Sequence, residues 1–222
     1  MDFIQILILS IIQGVTEFLP ISSQSHLIIT SSLLGMKDQG LSFDIALHAG
    51  SLIAILIYYR KEINKMLLMS DEGNQYLKLI ILGSIPLPII GILFIDLVSA
   101  NMRSVESIAL MTIVFAIILY ISDTKNKDDI NKLKSISIFT IIFIGFMQTL
   151  AIMPGVSRAG IVITAALLAN YSRQDSIKIA FLLSIPAIFM ATAYQSMQLY
   201  KVGNIEILNE HLLGVFLSFI FS

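Results

Sequence analysis

The sequence predicts an all-α polytopic membrane protein, and three observations predict it. Apolar residues (AVILMFWYC) make up 56% of the 222 positions and charged residues only 13%, against about 45–50% and ~25% in soluble domains. Mean hydropathy is +0.87. Long apolar stretches such as Phe3–Ile12, Leu79–Leu97 and Ile108–Ile121 carry almost no polar residue, which leaves no solvated helix face for a soluble fold. A formal net charge of −1 offers no basic field, so no nucleic-acid partner is expected. Absence of cysteine excludes disulfides, thiolate catalysis and cysteine-ligated metal.

Length sorts the apolar stretches, because a spanning helix needs about 20 mostly apolar residues and one of 10–14 reads as re-entrant or buried. Leu41–Tyr59, Tyr76–Val98, Ser104–Ser122 and Asp175–Met197 are long enough to span. The second tolerates Pro86 and Pro88 as a kink, and the fourth tolerates Pro186. Phe3–Phe18 with Ser22–Leu34, and Ser135–Ile152 with Arg158–Ala169, are shorter pairs interrupted by Pro20 and by Pro154-Gly155, each flanked by serine. They read as two broken, re-entrant helix hairpins. A helix break at membrane depth persists only where it lines a cavity or is buried in protein, so both breaks mark a candidate site. No Lys or Arg precedes Lys37, so the N-terminus lacks the basic start of a secretory signal and is read as part of the fold.

Basic residues cluster at Arg60, Lys61, Lys65 and Lys78, and again at Lys125, Lys127, Lys132 and Lys134. Both connections are expected on the cytoplasmic side. Two spans separate them, so the assignment is self-consistent, and it puts the two hairpins on opposite halves of the membrane. An offset of 131 to 134 residues aligns Gly14 with Gly145, Glu17 with Gln148, Leu19 with Leu150, Ser25-His26 with Ser157-Arg158, and Ile45-Ala46 with Ile179-Ala180. This is read as an inverted-topology repeat inside one membrane domain over 1–222, with repeat one about 1–100 and repeat two about 135–222, whose hairpin tips meet near the midplane. The final apolar run, His211–Ser222, is about 18 Å of helix, too short to span, and reads as a shortened last helix.

Polar residues inside these segments need a reason, since ionisable groups at membrane depth are expensive. Gln13 and Glu17 are four apart, so on a helix they share a face and can address one ligand or cation. Ser22, Ser23 and Ser25 precede an apolar helix, where they cap free N–H groups at a positive dipole end suited to an anion. His26 stands in the first turn of that helix and can transfer a proton or donate to a phosphate oxygen. In the second break, Pro154 and Gly155 make the turn, Ser157 caps the next helix, and Arg158 presents a planar fork. Two roles are open to Arg158: an ion pair with Glu17, or capture of a phosphate. His48 lines the same cavity or packs as a buried polar group, and His211 reads as solvated. No P-loop, nucleotide fingerprint or metalloprotease spacing is present.

Gln13-x-x-x-Glu17 followed by Phe18-Leu19-Pro20-Ile21-Ser22-Ser23 and His26, with Pro154-Gly155-Val156-Ser157-Arg158 later, resembles the undecaprenyl-diphosphate phosphatase family, also called bacitracin-resistance proteins. The resemblance covers nearly the whole chain. It implies hydrolysis of undecaprenyl diphosphate to undecaprenyl phosphate and inorganic phosphate, recycling the lipid carrier for cell-wall synthesis. It further implies a multi-pass protein of the cytoplasmic membrane, a site opening to the outer face, a polyprenyl diphosphate lipid as partner, and dependence on a divalent cation, Mg or Ca; a homodimer is compatible with it. Carried over by position, Glu17, His26, Arg158 and Ser23 are catalytic, with water as the alternative nucleophile to Ser23. Gln13, Ser22, Ser157 and Gly155 contact substrate, and Glu17 with Gln13 holds the metal. Two departures stand out. Ala159 and Val162 replace the family's usual serine and threonine, removing two phosphate contacts worth about 0.5–1.5 kcal/mol each, and the chain is short at its end. A polyprenyl-phosphate flippase and a binding-only homologue are the competing readings, separable by phosphate release.

Overall fold

The computed structural model describes residues 1–102, 104–125, 133–202 and 205–222; Lys127 and Lys132 of the second basic cluster lie outside them. Among the described residues eleven α-helices form: α1 (Phe3–Thr16), α2 (Ser23–Leu33), α3 (Gly40–Tyr58), α4 (Arg60–Leu67), α5 (Asp71–Ser84), α6 (Pro86–Asn101), α7 (Val105–Lys125), α8 (Ile138–Gln148), α9 (Arg158–Leu168), α10 (Arg173–Val202) and α11 (Ile205–Phe221). No strand occurs among the described residues.

Four helices are long and apolar enough to cross a membrane: Gly40–Tyr58, Asp71–Phe94, Val105–Lys125 and Arg173–Tyr200. These match the four spans that length predicts. The second is α5 running into α6, with a bend at Ile85 where Pro86 and Pro88 remove backbone donors. Pro186 leaves α10 unbroken. The chain is an all-α membrane protein.

α11 lies against α1 and α3, and α5 lies against α8 and α10. Glycine makes both close approaches. A methyl group on Gly14 would sit 2.6 Å from the Phe221 backbone in α11, and one on Gly145 would sit 2.5 Å from the Gly83 carbonyl in α5. An alanine at either position would force the backbones apart.

The last helix starts earlier than the apolar run His211–Ser222 marks. α11 begins at Ile205 and has 17 residues, about 25 Å of helix; it packs on α1 and α3 and, as its length predicts, is not among the helices long enough to span. His211 corrects the solvated reading. It is 8% exposed, with its Nδ1–H donating to the Ile207 carbonyl (2.7 Å), its Nε2 paired with Ser42 Oγ (2.8 Å), and its ring edge-on to Phe43. A half-polar ring buried by contacts from α3 satisfies itself there and needs no solvent.

Candidate active site

Both predicted breaks occur where proline and serine place them. α1 ends at Thr16, and Ser22 N-caps α2 by accepting from the Ser25 N–H (3.3 Å). In the second half, α8 passes through a short 3-10 turn, Thr149–Ile152, to a tight turn at Pro154-Gly155. Ser157 then N-caps α9 by accepting from the Gly160 N–H (3.1 Å). Gly155 has φ +98°, the left-handed region open to glycine, and a side chain there would strike the Ile108 carbonyl of α7 at 2.5 Å. Its own carbonyl accepts from Thr112 Oγ1 (3.2 Å).

The two breaks meet. Arg158, the first residue of α9, donates through Nη2 to Glu17 Oε1 across 141 positions of sequence. The side chain of Glu17 is 3% exposed and that of Arg158 is 18% exposed. Depth follows from what Glu17 touches: His48 lies eight residues into α3, about 12 Å along the helix, and Phe18 stacks edge-on to Phe181, eight residues into α10.

Around Glu17 the polar groups form one network. Gln13 Nε2–H donates to Oε2 (2.9 Å), one helical turn away on the face that i, i+4 spacing predicts. The Ser23 hydroxyl donates to the same Oε2 (3.0 Å). His48 Nε2 stands 3.3 Å from both Ser23 Oγ and Glu17 Oε2. His48 Nδ1–H donates to the Asp44 carbonyl (2.7 Å), which turns Nε2 toward Ser23 and Glu17. The Ser23 hydroxyl thus lies between a carboxylate and an imidazole, the setting that activates a hydroxyl.

Two polar atoms of this network remain without a hydrogen-bond partner although buried: Arg158 Nη1 and Gln13 Oε1. A buried guanidinium N–H with nothing to donate to costs stability unless a ligand supplies the acceptor. The N-terminus of α9 lies at the same spot, adding its dipole to the charge.

The predicted residues do not all join the network. Glu17, Arg158, Gln13 and Ser23 converge. Ser22 and Ser157 flank them but spend their hydroxyls on helix caps, and Gly155 serves the turn. His26 is exposed, with Nδ1–H donating to the Ser22 carbonyl (2.7 Å) and Nε2 left to the outside. Val162 and Ala159 are buried at 0% and 8% exposure; Thr164 bonds the Gly160 carbonyl in its own helix (2.8 Å) and does not stand in for the absent threonine. His48 is the residue that sequence reasoning left undecided. Its signal was a polar side chain in mid-span, four residues from Asp44.

Fold and site together define an integral membrane protein with a buried polar network built where two helix breaks meet. The model of the family described as bacitracin resistance protein BacA matches residues 6–222. The undecaprenyl-diphosphatase of Teredinibacter turnerae is 40% identical over 208 residues, covering 90% of this chain and 78% of that protein. Undecaprenyl-diphosphatase 1 of Pseudoalteromonas translucida is 41% identical, covering 99% and 86%, and the undecaprenyl-diphosphatase of Pelagibacter ubique is 44% identical, covering 100% and 85%. The chain belongs to the BacA family.

Proposed function

We propose that this chain hydrolyses undecaprenyl diphosphate to undecaprenyl phosphate and inorganic phosphate, from a site open to the outer face of the bacterial cytoplasmic membrane. The observation that carries the reading is the free half of the Arg158 fork: one nitrogen holds Glu17, whose other oxygen accepts from the Ser23 hydroxyl, and the second nitrogen, Nη1, is buried without an acceptor. A terminal phosphate bound at Nη1 and the α9 N-terminus comes within reach of Ser23 Oγ. The names of the relatives, all undecaprenyl-diphosphatases, agree with this.

The chemistry balances on these residues. Ser23 Oγ attacks the terminal phosphorus as its proton passes to Glu17 Oε2. The bridging P–O bond breaks and undecaprenyl phosphate leaves with the electron pair. Water then cleaves the serine phosphoester, returning the Ser23 proton and releasing inorganic phosphate. Arg158 stabilises the charge that builds on the equatorial oxygens. His26, whose Nε2 faces outward from the first turn of α2, is placed to protonate the leaving phosphate oxygen. Among the described residues no cluster of three or more acidic or histidine side chains forms a metal cage. The unpartnered Gln13 Oε1 beside Glu17 nonetheless suits a divalent cation completed by substrate oxygens, as Mg²⁺ sites often are. Such a cation would neutralise diphosphate charge.

The inverted repeat, with both hairpins re-entrant and their tips at mid-membrane, is part of the same proposal. The seating of α11 on α1 and α3 and of α5 on α8 and α10 supports it. Phosphate release from undecaprenyl diphosphate by the purified chain in detergent, with and without divalent cation and beside Arg158→Ala, tests the reading. Release lost in the variant is expected. A folded wild-type chain that binds the lipid without releasing phosphate would overturn it.

A further inference from the structure

A cleft lined by residues of both breaks opens between α7 and α9. Its walls are two helix faces of the same spacing. α7 contributes Thr112, Phe115, Ala116 and Leu119, and α9 contributes Ser157, Gly160, Ile161 and Thr164; each set runs i, i+3, i+4, i+7 and so forms one straight row about 10 Å long. Pro20, Ile21 and Ser22 of the first break close one end. That end adjoins the charged network, since Ser22 precedes Ser23 and Ser157 precedes Arg158.

The outer wall faces lipid. α7 is long and apolar enough to span, yet only 11% of its spanning window is buried, and its principal packing partner is α9. Ala116 is exposed, and Ile113 and Ile117 beside it are 59% and 54% exposed. The cleft thus leads from residues next to the polar site to the hydrocarbon around α7. A ligand filling both has a phosphate at one end and an extended apolar chain at the other.

We propose that the groove between α7 and α9 seats the first isoprenoid units of the lipid substrate, so that the chain leaves the site sideways into the bilayer past Ala116. This rests on the phosphatase reading for the identity of the ligand and adds to it the path of the tail. Phe115, Leu119 and Ile161 then select for a prenyl chain, while Arg158 and Ser23 act on the diphosphate alone.

The test is a wall change that leaves the head site untouched. Ala116→Trp fills the groove from an exposed position where the side chain replaces only lipid contact. It should raise KM for undecaprenyl and farnesyl diphosphate about 10-fold or more, the scale of apolar pocket discrimination, with kcat held within about twofold. Inhibition by methylenediphosphonate, which has no tail, should be unchanged. Leu119→Trp, one turn along, should repeat the effect. A farnesyl diphosphate carrying a diazirine on its first isoprene unit should label the peptide containing residues 112–119. Unchanged KM in both variants, loss of methylenediphosphonate inhibition in step with KM, or labelling confined to other helices would overturn the proposal. Absence of any phosphate release from the wild-type chain would instead sink the phosphatase reading, and the diazirine label would still report where the prenyl chain lies.

Discussion

The Glu17–Arg158 site and the charge cluster where α4 meets α5 and α10 both tie carboxylates to cations across distant parts of the chain, yet they differ in what is left over. In the second cluster Lys178 donates to Glu62 (2.9 Å) and lies 4.8 Å over the Tyr76 ring, Lys65 donates to Glu72 (2.8 Å), and the Tyr76 hydroxyl donates to Glu72. None of these groups is among the buried polar atoms lacking a partner. Around Glu17 the carboxylate is fully used, but Arg158 Nη1 and Gln13 Oε1 are not. A self-satisfied cluster holds helices together, whereas a network with one donor and one acceptor to spare is built for something that arrives. Ion pairing alone therefore does not distinguish structure from function in this molecule; the remainder does.

The sharpest way to break that comparison is to remove the hydroxyl at its centre. Ser23→Ala should lower phosphate release about 10³-fold or more, as expected for a nucleophile acting with its partners, while melting temperature in detergent stays close to wild type because Ser23 caps nothing. Ser22→Ala should do the reverse. It loses the α2 cap, about 1 kcal/mol, and should keep turnover within a few-fold. If Ser22 proves essential and Ser23 dispensable, the nucleophile assignment fails.

Arg158→Ala should cost about 10²–10³-fold in turnover and also destabilise the fold by roughly 3–5 kcal/mol, because Glu17 would remain buried without its partner. Arg158→Lys keeps the charge but not the fork, so it should fold well and still turn over slowly. The matching change in the other cluster, Lys178→Met, should reduce stability by about 1 kcal/mol and leave kcat/KM unaltered. Comparable activity loss from both would erase the distinction drawn here. Gln13→Leu probes the spare acceptor: it should raise the divalent cation concentration needed for half-maximal release about tenfold, and an unchanged requirement would remove Gln13 from the cation's surroundings.

Spans and breaks were legible because they are local. Apolar length marks α3, α5–α6, α7 and α10, and Pro20 and Pro154-Gly155 with their capping serines mark the interruptions within a residue or two. Gln13 and Glu17 on one face follow from helical spacing alone. The rest depends on partners far away in sequence. Nothing near Arg158 reveals whether its fork is spent on Glu17 or on a phosphate; in the structure Nη2 holds Glu17 and Nη1 is left over. His48 becomes part of the site only because α3 passes the first break, and His211 is buried only because Ser42 and Phe43 cover it from 169 residues away. The start of α11 lies before the apolar run because its second turn carries polar residues, Asn209 and Glu210, that hydropathy reads as loop, although packing on α1 and α3 makes them helix.

The smallest effect concerns pH at the satisfied cluster. Burial pushes the Glu62 carboxyl up, but the Lys178 hydrogen bond and the charges of Lys178 and Lys65 outweigh it and hold the group below its ordinary value. A depressed carboxyl binds its proton less readily in the folded than in the unfolded chain. Its contribution is therefore complete above the ordinary carboxylate value, about pH 4.3, and is lost as pH falls through the lower folded value. Between pH 5 and 8 this pair should add no slope to a melting curve. Glu62→Gln should lower stability at neutral pH by up to about 1 kcal/mol, and variant and wild type should converge only in stronger acid. A pH dependence of stability near neutrality that vanishes in Glu62→Gln would contradict this, and would place a titrating group in the cluster where the geometry has every charge already matched.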